Sequence, residues 1–173
     1  MYEFARFQNS SLDTSGIGLW TDYPCDDSLL PAGARMIGWA NPEVVAFCFL
    51  PQEEETVFLV DIAAPAGEQI RPVAASFLEF LGVLTVCGTV GEMLRLLYPS
   101  SLFPEDAAPP CTPKQQSILR AIRNTYPLPP IPDPQGYLMA MQEKFSRESS
   151  SQFQEKASAP TKRASGKAKK KKH

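Results

Sequence analysis

The order of the segments, in which strand-like runs come first and helix-like runs follow, constrains the fold of this chain more than any other feature. VVAFCFL (44–50) and VFLVDI (57–62) are apolar on both faces, which is typical of strands inside a sheet. ARMIGWAN (34–41) and QIRPVA (69–74) are predicted as further strands. Pro72 lacks a backbone N–H donor, so the last of these strands is predicted to lie at a sheet edge or to end quickly.

The segment before these strands and the connection between the two apolar runs are less regular. A first strand is expected over IGLWTDY (17–23). Residues 1–16 stay open, because Phe4 and Phe7 have helical spacing but NSSLDTSG breaks a helix. The polar segment PQEEET (51–56) predicts a hairpin with an acidic tip.

Four helix starts follow the strands, and each carries a capping residue. Three of them place Ser or Thr three residues before Glu or Gln, so that the hydroxyl accepts a free N–H and the longer side chain reaches back. In the fourth, Asp precedes a Pro, which suits the first helical position. The capping residues are Ser76, Thr89, Thr112 and Asp133, and the helices are expected to begin near Phe77, Val90, Pro113 and Pro134. Strands followed by helices predict an α+β fold with a mainly antiparallel sheet of four to five strands and packed helices.

The distribution of charge divides the chain into an acidic body and a basic tail. Residues 1–155 hold nine basic and nineteen acidic residues, a net charge of −10, whereas residues 156–173 hold eight Lys or Arg and no acid. We expect one domain over residues 1–148 and a disordered, lysine-rich tail over 149–173, because the tail has little apolar content.

Cellular location is predicted from the N-terminal segment and from the cysteines. The first residues include Glu3 and no long apolar core, and no apolar run reaches the roughly 18 residues of a membrane helix. A cytoplasmic protein without a membrane partner is therefore expected. Cys25, Cys48, Cys87 and Cys111 lie far apart without a C-x-x-C pair, which favours buried small apolar residues over a disulfide framework or a zinc site.

The sequence offers little for catalysis. His173, the last residue, is the only histidine, which excludes Ser-His-Asp and Cys-His mechanisms in the body. Neither of the common glycine-rich phosphate-binding motifs is present. Asp61 interrupts an apolar run, and we favour a structural role for it, holding the turn that follows, over a catalytic one. No enzymatic activity, catalytic residue, metal ligand or cofactor is predicted.

The remaining candidates are contact residues for a partner. The acidic side chains fall in predicted loops, where a solvated loop tip is the favoured interpretation and a catalytic carboxylate pair the weaker one. The two tryptophans are either interface anchors or, with about twice the weight, core residues. The candidate partner-binding residues are Asp22, Asp26, Asp27, Glu53, Glu54, Glu55, Trp20 and Trp39.

The segment LLPAGARMIGWANPEVVAFCFLPQEEETVFLVDIAAPAGEQIRPVAASFLEFLGVLTVCG (29–88) resembles bacterial proteins of the SUKH superfamily, which includes a fungal cell-wall-synthesis regulator and many immunity proteins of bacterial toxin systems. A VFLVD-like strand, a turn and PVAASFLEFL carry the resemblance. TPKQQSILRAIRNTYPLPPIPDPQGYLMAMQEKF (112–145) is similar to the C-terminal extension of one uncharacterised bacterial branch. The resemblance implies helices packed on a sheet and a binding role instead of a catalytic one.

Two functional hypotheses follow. The first is a non-enzymatic protein-interaction module, such as an immunity protein that neutralises a bacterial toxin, whose partner has a basic surface. The alternative is a regulatory or nucleic-acid-associated protein that acts through its basic tail, since a flexible polycation binds phosphates weakly and without sequence preference. The acidic body would repel nucleic acid.

Overall fold

The computed structural model of the chain describes residues 2–24, 27–41, 44–65, 67–98 and 109–157. Strands occupy the middle of the described chain, with a short helix before them and longer helices after them. In chain order the elements are α1 (Tyr2–Gln8), two 3-10 turns (Ser15–Ile17 and Asp27–Leu29), β1 (Arg35–Asn41), β2 (Val45–Leu50), β3 (Glu53–Asp61), β4 (Ile70–Ala74), α2 (Phe77–Cys87), α3 (Val90–Leu97), α4 (Pro113–Thr125) and α5 (Pro134–Ala157).

The strands form one sheet in the order β1-β2-β3-β4, and each neighbouring pair is antiparallel. β2 and β3 lie inside this sheet, as their two apolar faces predicted. Alternate residues of β2 face opposite sides, so Phe47 joins the core under the helices while Cys48 is buried on the other face. The α+β class, with an antiparallel sheet followed by packed helices, is confirmed.

The connection between β2 and β3 differs from the predicted acidic tip. Leu50 lies opposite Glu53, which leaves only Pro51 and Gln52 in the turn. The acidic residues therefore belong to the first part of β3 instead of a loop, and the ladder is shifted by a bulge next to Leu50. Backbone pairing with a strongly apolar neighbouring strand outweighs the low strand propensity of glutamate here.

The strand expected over residues 17–23 is wrong. Its first residue ends a 3-10 turn, and Trp20 contacts β1 through a single bridge, in which it exchanges two 2.9 Å backbone hydrogen bonds with Trp39. The hydroxyl of Thr14 donates to the carbonyl of Leu19 at 2.7 Å and holds the loop closed. Ile17 and Leu19 are both buried, so their apolar character marks a packed loop and not a strand.

The N-terminal segment that the sequence left open is helical over α1. Phe4 and Phe7 are buried on one face of the helix. The ring of Phe4 meets Phe49 and Phe77 edge-to-face at centroid distances of 5.0 and 5.3 Å, and Phe7 meets Phe77 at 5.3 Å. These aromatic contacts supply the stability that a seven-residue helix lacks on its own.

The four later helices begin where their capping residues predicted. Side-chain oxygens of the caps accept backbone N–H groups three residues on, at 2.9 to 3.3 Å, and at Thr112 the capping box is complete because Gln115 bonds back at 2.8 Å. Each cap satisfies a donor that the first helical turn leaves open. The helices start at Phe77, Val90, Pro113 and Pro134.

α5 packs on the edge strand β4. The Gln142 amide donates to the carbonyl of Pro72, the Tyr137 hydroxyl accepts from the Ala75 N–H at 3.0 Å, and the Phe145 ring lies 5.5 Å from that of Phe58. The strand that contains Pro72 lies at the sheet edge, as predicted. α5 covers this edge and donates a hydrogen bond to the Pro72 carbonyl. α5 runs past the predicted domain boundary at residue 148, and residues 158–173 of the tail lie outside the described part.

No single helix in the described ranges combines the length and apolar character needed to cross a membrane. α2 and α3 reach that length and composition only when taken together, across a bend of 100°. Most residues of α2 are buried inside the protein.

We predict that Phe80→Ala lowers the free energy of unfolding by about 3 to 5 kcal/mol, because a fully buried ring is lost and a cavity remains. Ser76→Ala removes only a helix cap and is expected to cost about 1 kcal/mol. Urea unfolding followed by circular dichroism measures both values. The reverse order would show that the buried face of α2 is misplaced.

Candidate protein-interaction surface

The acidic run at the start of β3 is exposed. Glu53, Glu54 and Glu55 lie on the surface, and no salt bridge between described residues includes any of them. Adjacent carboxylates of like charge repel each other, and no described salt bridge offsets this repulsion. They are therefore available to a cation from outside.

Glu54 and Glu55 face a cleft of about 180 Å³ together with Glu3 of α1. The aromatic rings of Phe49 and Phe77 belong to the lining of the same cleft. Both phenylalanines are nearly buried, so they give the cleft an apolar floor. Carboxylates above an apolar floor suit a lysine or arginine side chain, because the charged head pairs with a carboxylate and the aliphatic stem packs on the apolar surface.

One of these rings already binds a cation. The guanidinium carbon of Arg35, at the start of β1, lies 5.2 Å from the centroid of the Phe49 ring. A similar contact places the Arg6 guanidinium 5.4 Å from the Tyr126 ring, while Arg6 also pairs with Glu3 at 3.4 Å. Aromatic rings around this end of the sheet thus serve as platforms for guanidinium groups.

Glu53 does not share the cleft of its neighbours. It lines a separate, smaller cavity of about 30 Å³ with Phe58 of β3 and Lys144 and Phe145 of α5. The three glutamates therefore divide between two clefts, and only Glu54 and Glu55 act together with Glu3.

A second acidic and aromatic region lies beside β1. Trp20 is 43% exposed and lines a cleft of about 400 Å³ with Asp13 and Asp22. The side chain and backbone of Ser15 both donate to Asp13, at 2.5 and 3.0 Å, and these bonds lower the pKa of its carboxyl group, which stays ionised at neutral pH. An exposed indole between two carboxylates is suited to contact with a basic partner.

The other tryptophan does not belong to a surface. Trp39 is fully buried, so the interior-packing interpretation applies to it and its role as a contact residue is withdrawn. Its neighbour Gly38 lets the loop approach, because a Cβ there would lie 3.0 Å from the Trp20 carbonyl oxygen. Asp26 lies outside the described residues, and for Asp27 only its backbone in a 3-10 turn is described.

The two acidic regions lie at different levels of the sheet. The start of β3, with Glu54 and Glu55, is adjacent to the end of β2. Trp20 pairs with Trp39, and this pair is level with Val60, near the other end of β3. Asp22 therefore lies at least three strand spacings, roughly 14 Å, to the side of β3 and several residues along the strand from Glu55. We call Glu3, Glu54 and Glu55 the acidic end of the sheet.

Asp61 lies at the opposite end and has a different environment. It is buried, its Oδ1 accepts from the Ala63 N–H at 3.0 Å, and its Oδ2 accepts from the Tyr98 hydroxyl at 2.6 Å. The predicted structural role, holding the turn after β3, is confirmed. The Arg71 guanidinium lies 4.8 Å from the Tyr98 ring and donates to the Leu97 carbonyl at 3.1 Å.

Tyr98 and Arg71 are residues that the sequence did not single out. Tyr98 is 37 positions from Asp61, and no periodicity links the two. The one signal in the sequence is the aspartate inside an apolar strand, because a buried carboxylate needs a hydrogen-bond partner. The cluster ties the end of α3 to the turn between β3 and β4, and none of the clefts described above includes it.

We predict that Tyr98→Phe costs about 1.5 to 3 kcal/mol of unfolding free energy, because a buried carboxylate loses a charged hydrogen bond. Tyr2→Phe, at a tyrosine that is 77% exposed, is the matched control and should leave stability unchanged. Thermal or urea unfolding at neutral pH gives both values.

The same variant has a signature in alkaline solution. Burial, followed by the hydrogen bond to Asp61, raises the pKa of Tyr98 above its usual value. A raised pKa stabilises the fold below about pH 10, the unfolded value, and this contribution is lost as the pH rises further. Tyr98→Phe should therefore lose less stability than the wild type between pH 9 and about pH 11. If the wild type and Tyr98→Phe lost the same unfolding free energy over this pH range, the hydroxyl of Tyr98 would not have this role.

The described residues hold no group of three or more His, Cys, Asp or Glu side chains that could bind a metal ion. No protein-family model, curated protein or solved structure matches the chain. Membership of the SUKH superfamily stays a prediction from the segments quoted above.

Proposed function

We propose that this chain is a non-enzymatic protein-interaction module that binds a partner with a basic surface through the acidic end of the sheet. The cleft at Glu3, Glu54 and Glu55, with Phe49 and Phe77 in its lining, carries the proposal. The resemblance to the SUKH superfamily supports a specific form of it, an immunity protein that neutralises a bacterial toxin. Toxins that act on nucleic acid commonly present basic surfaces, which suits this charge.

The carboxylates and the aromatic side chains have different expected roles. Exposed ion pairs contribute only about 0 to 1 kcal/mol each, so the glutamates mainly accelerate association and set its salt dependence. Tight binding needs buried aromatic contact area. Trp20 is the candidate to supply it, since this indole is 43% exposed and lines the cleft beside β1 with Asp13 and Asp22.

The charge prediction uses two double variants that each remove two negative charges. Glu54→Gln with Glu55→Gln should lower the association rate about 3- to 10-fold at low salt and flatten its salt dependence, because electrostatic steering is reduced. Glu68→Gln with Glu143→Gln changes the net charge equally at exposed sites outside that cleft and should have a smaller effect. The probe is the purified product of the gene next to this chain's own, and surface plasmon resonance at two salt concentrations gives the rates.

Equal reductions in both double variants would mean that net charge alone steers the partner, and unchanged rates would remove the acidic end from the interface. Trp20→Ala should instead raise the dissociation rate, with little effect on association.

The immunity form of the proposal is tested separately. If the neighbouring gene encodes a toxin domain, coexpression of the wild-type chain should restore growth of cells that produce this domain, and the double Glu54/Glu55 variant should restore it less well.

The basic tail supports the second candidate, a regulatory or nucleic-acid-associated protein. Replacement of Lys169, Lys170, Lys171 and Lys172 by Gln in the full chain separates the two functions. If the tail is the functional element, binding to a random-sequence DNA duplex should be weak in the wild type and lost in the variant, with a shallower salt slope. The interaction module predicts instead that the variant keeps its protein partner. Electrophoretic mobility shift and surface plasmon resonance measure the two outcomes.

A further inference from the structure

Two cysteines that are far apart in the sequence meet at one cavity. Cys87 is the last residue of α2, and Cys111 directly precedes Thr112, the cap of α4. Both line the same cavity of about 390 Å³, and both are partly buried against the core. The described cysteines are all free thiols in this structure.

Gly88 brings the two thiols close. A Cβ on Gly88 would lie only 2.7 Å from the Sγ of Cys111, so this sulfur rests against the glycine backbone. Gly88 has φ +86° and directly follows Cys87. Because consecutive Cα atoms are about 3.8 Å apart, the Cys111 sulfur lies within about 8 Å of the Cys87 Cα. Disulfides join residues whose Cα atoms are about 4.4 to 6.8 Å apart, so the bond requires that backbone separation between Cys87 and Cys111 in addition to rotation of the two side chains across the cavity.

The helix ends that carry the two cysteines are already held together. The Arg123 guanidinium of α4 donates to the Thr85 carbonyl in the last turn of α2 at 2.6 Å. The Gln116 side chain donates to the Cys111 carbonyl at 3.0 Å. The chain segments on both sides of the cavity are therefore fixed relative to each other, and little conformational freedom has to be lost when the sulfurs join.

We propose that Cys87 and Cys111 form a reversible disulfide by exchange with a small-molecule disulfide such as oxidised glutathione. This inference does not depend on the proposed function. The bond would lock the end of α2 to the start of α4 and would close the loop that follows α3.

The exchange proceeds in two balanced steps. Burial, and then the nearby Glu92, raise the pKa of Cys87 to about 11, so its thiol is protonated at neutral pH and the first attack is assigned to Cys111. The Cys111 thiolate attacks one glutathione sulfur, which forms a mixed disulfide, and the other glutathione leaves as a thiolate and takes up a proton. Cys87 then loses its proton and attacks the Cys111 sulfur, which releases the second glutathione. Two cysteine thiols are oxidised and one glutathione disulfide is reduced to two thiols.

The test uses the full chain, incubated with excess oxidised glutathione and then quenched with N-ethylmaleimide. Cleavage after glutamate places the four cysteines in separate peptides, with Cys87 in 80–92 and Cys111 in 106–143. Mass spectrometry should find these two peptides joined, in monomeric protein, and dithiothreitol should separate them. The melting temperature of the oxidised protein should exceed that of the reduced protein by about 5 to 10 °C, because the bond restricts the unfolded chain.

Two variants sharpen the result. Cys111→Ser should lose both the joined peptides and the thermal shift, whereas Cys25→Ser should keep both. The proposal is overturned if Cys87 and Cys111 are recovered separately, each with glutathione or N-ethylmaleimide, or if the main bond joins Cys111 to Cys25 or to a second molecule. The wild-type peptide map decides the question even if a variant does not fold.

Discussion

The burial of α2 between the sheet and the later helices is the interaction on which the rest of the structure depends. Phe80 of α2 and Phe47 of β2 are both fully buried, and their rings lie 5.0 Å apart. Contacts of α2 reach β3, β4 and every other helix, so the helix is apolar around most of its circumference. Its one buried polar side chain, Thr85, satisfies its hydroxyl by donating to the Gly82 carbonyl at 3.0 Å. Phe77, at the first turn, extends the same core to α1.

This arrangement gives the two ends of the sheet different electrostatic characters. At one end, Asp61 lies inside the protein, and a tyrosine hydroxyl and a backbone N–H compensate its desolvation. At the other end, Glu54 and Glu55 remain at the surface without a salt bridge to any described residue. The same chemical group is thus structural where it is buried and bonded, and available to a partner where it is exposed.

Local signals in the sequence were sufficient for the helices and insufficient for the contacts between distant segments. The caps at Ser76, Thr89 and Thr112 predicted the helix starts because each acts over three residues of chain. The strand expected at 17–23 was wrong because apolar residues also fill packed loops. Scattered cysteines gave no indication of pairing, since the fold alone brings Cys87 and Cys111 to one cavity. For the same reason the surface was only partly predicted: the acidic residues were identified, but the aromatic lining of their cleft was not.

The energetics of the acidic end limit what its charges can do alone. A nanomolar complex needs about 12 kcal/mol of binding free energy, and exposed ion pairs contribute at most about 1 kcal/mol each. Salt also screens such charges beyond about 10 Å at 0.1 M, so Asp22 and Glu55, which are more than roughly 14 Å apart, act on a partner almost independently. A tight complex therefore has to bury apolar area between the two acidic regions or beside them. Trp20, which is 43% exposed beside β1, is the aromatic group available for this. The carboxylates then determine how quickly a basic partner arrives, and the aromatic contacts determine how long it stays.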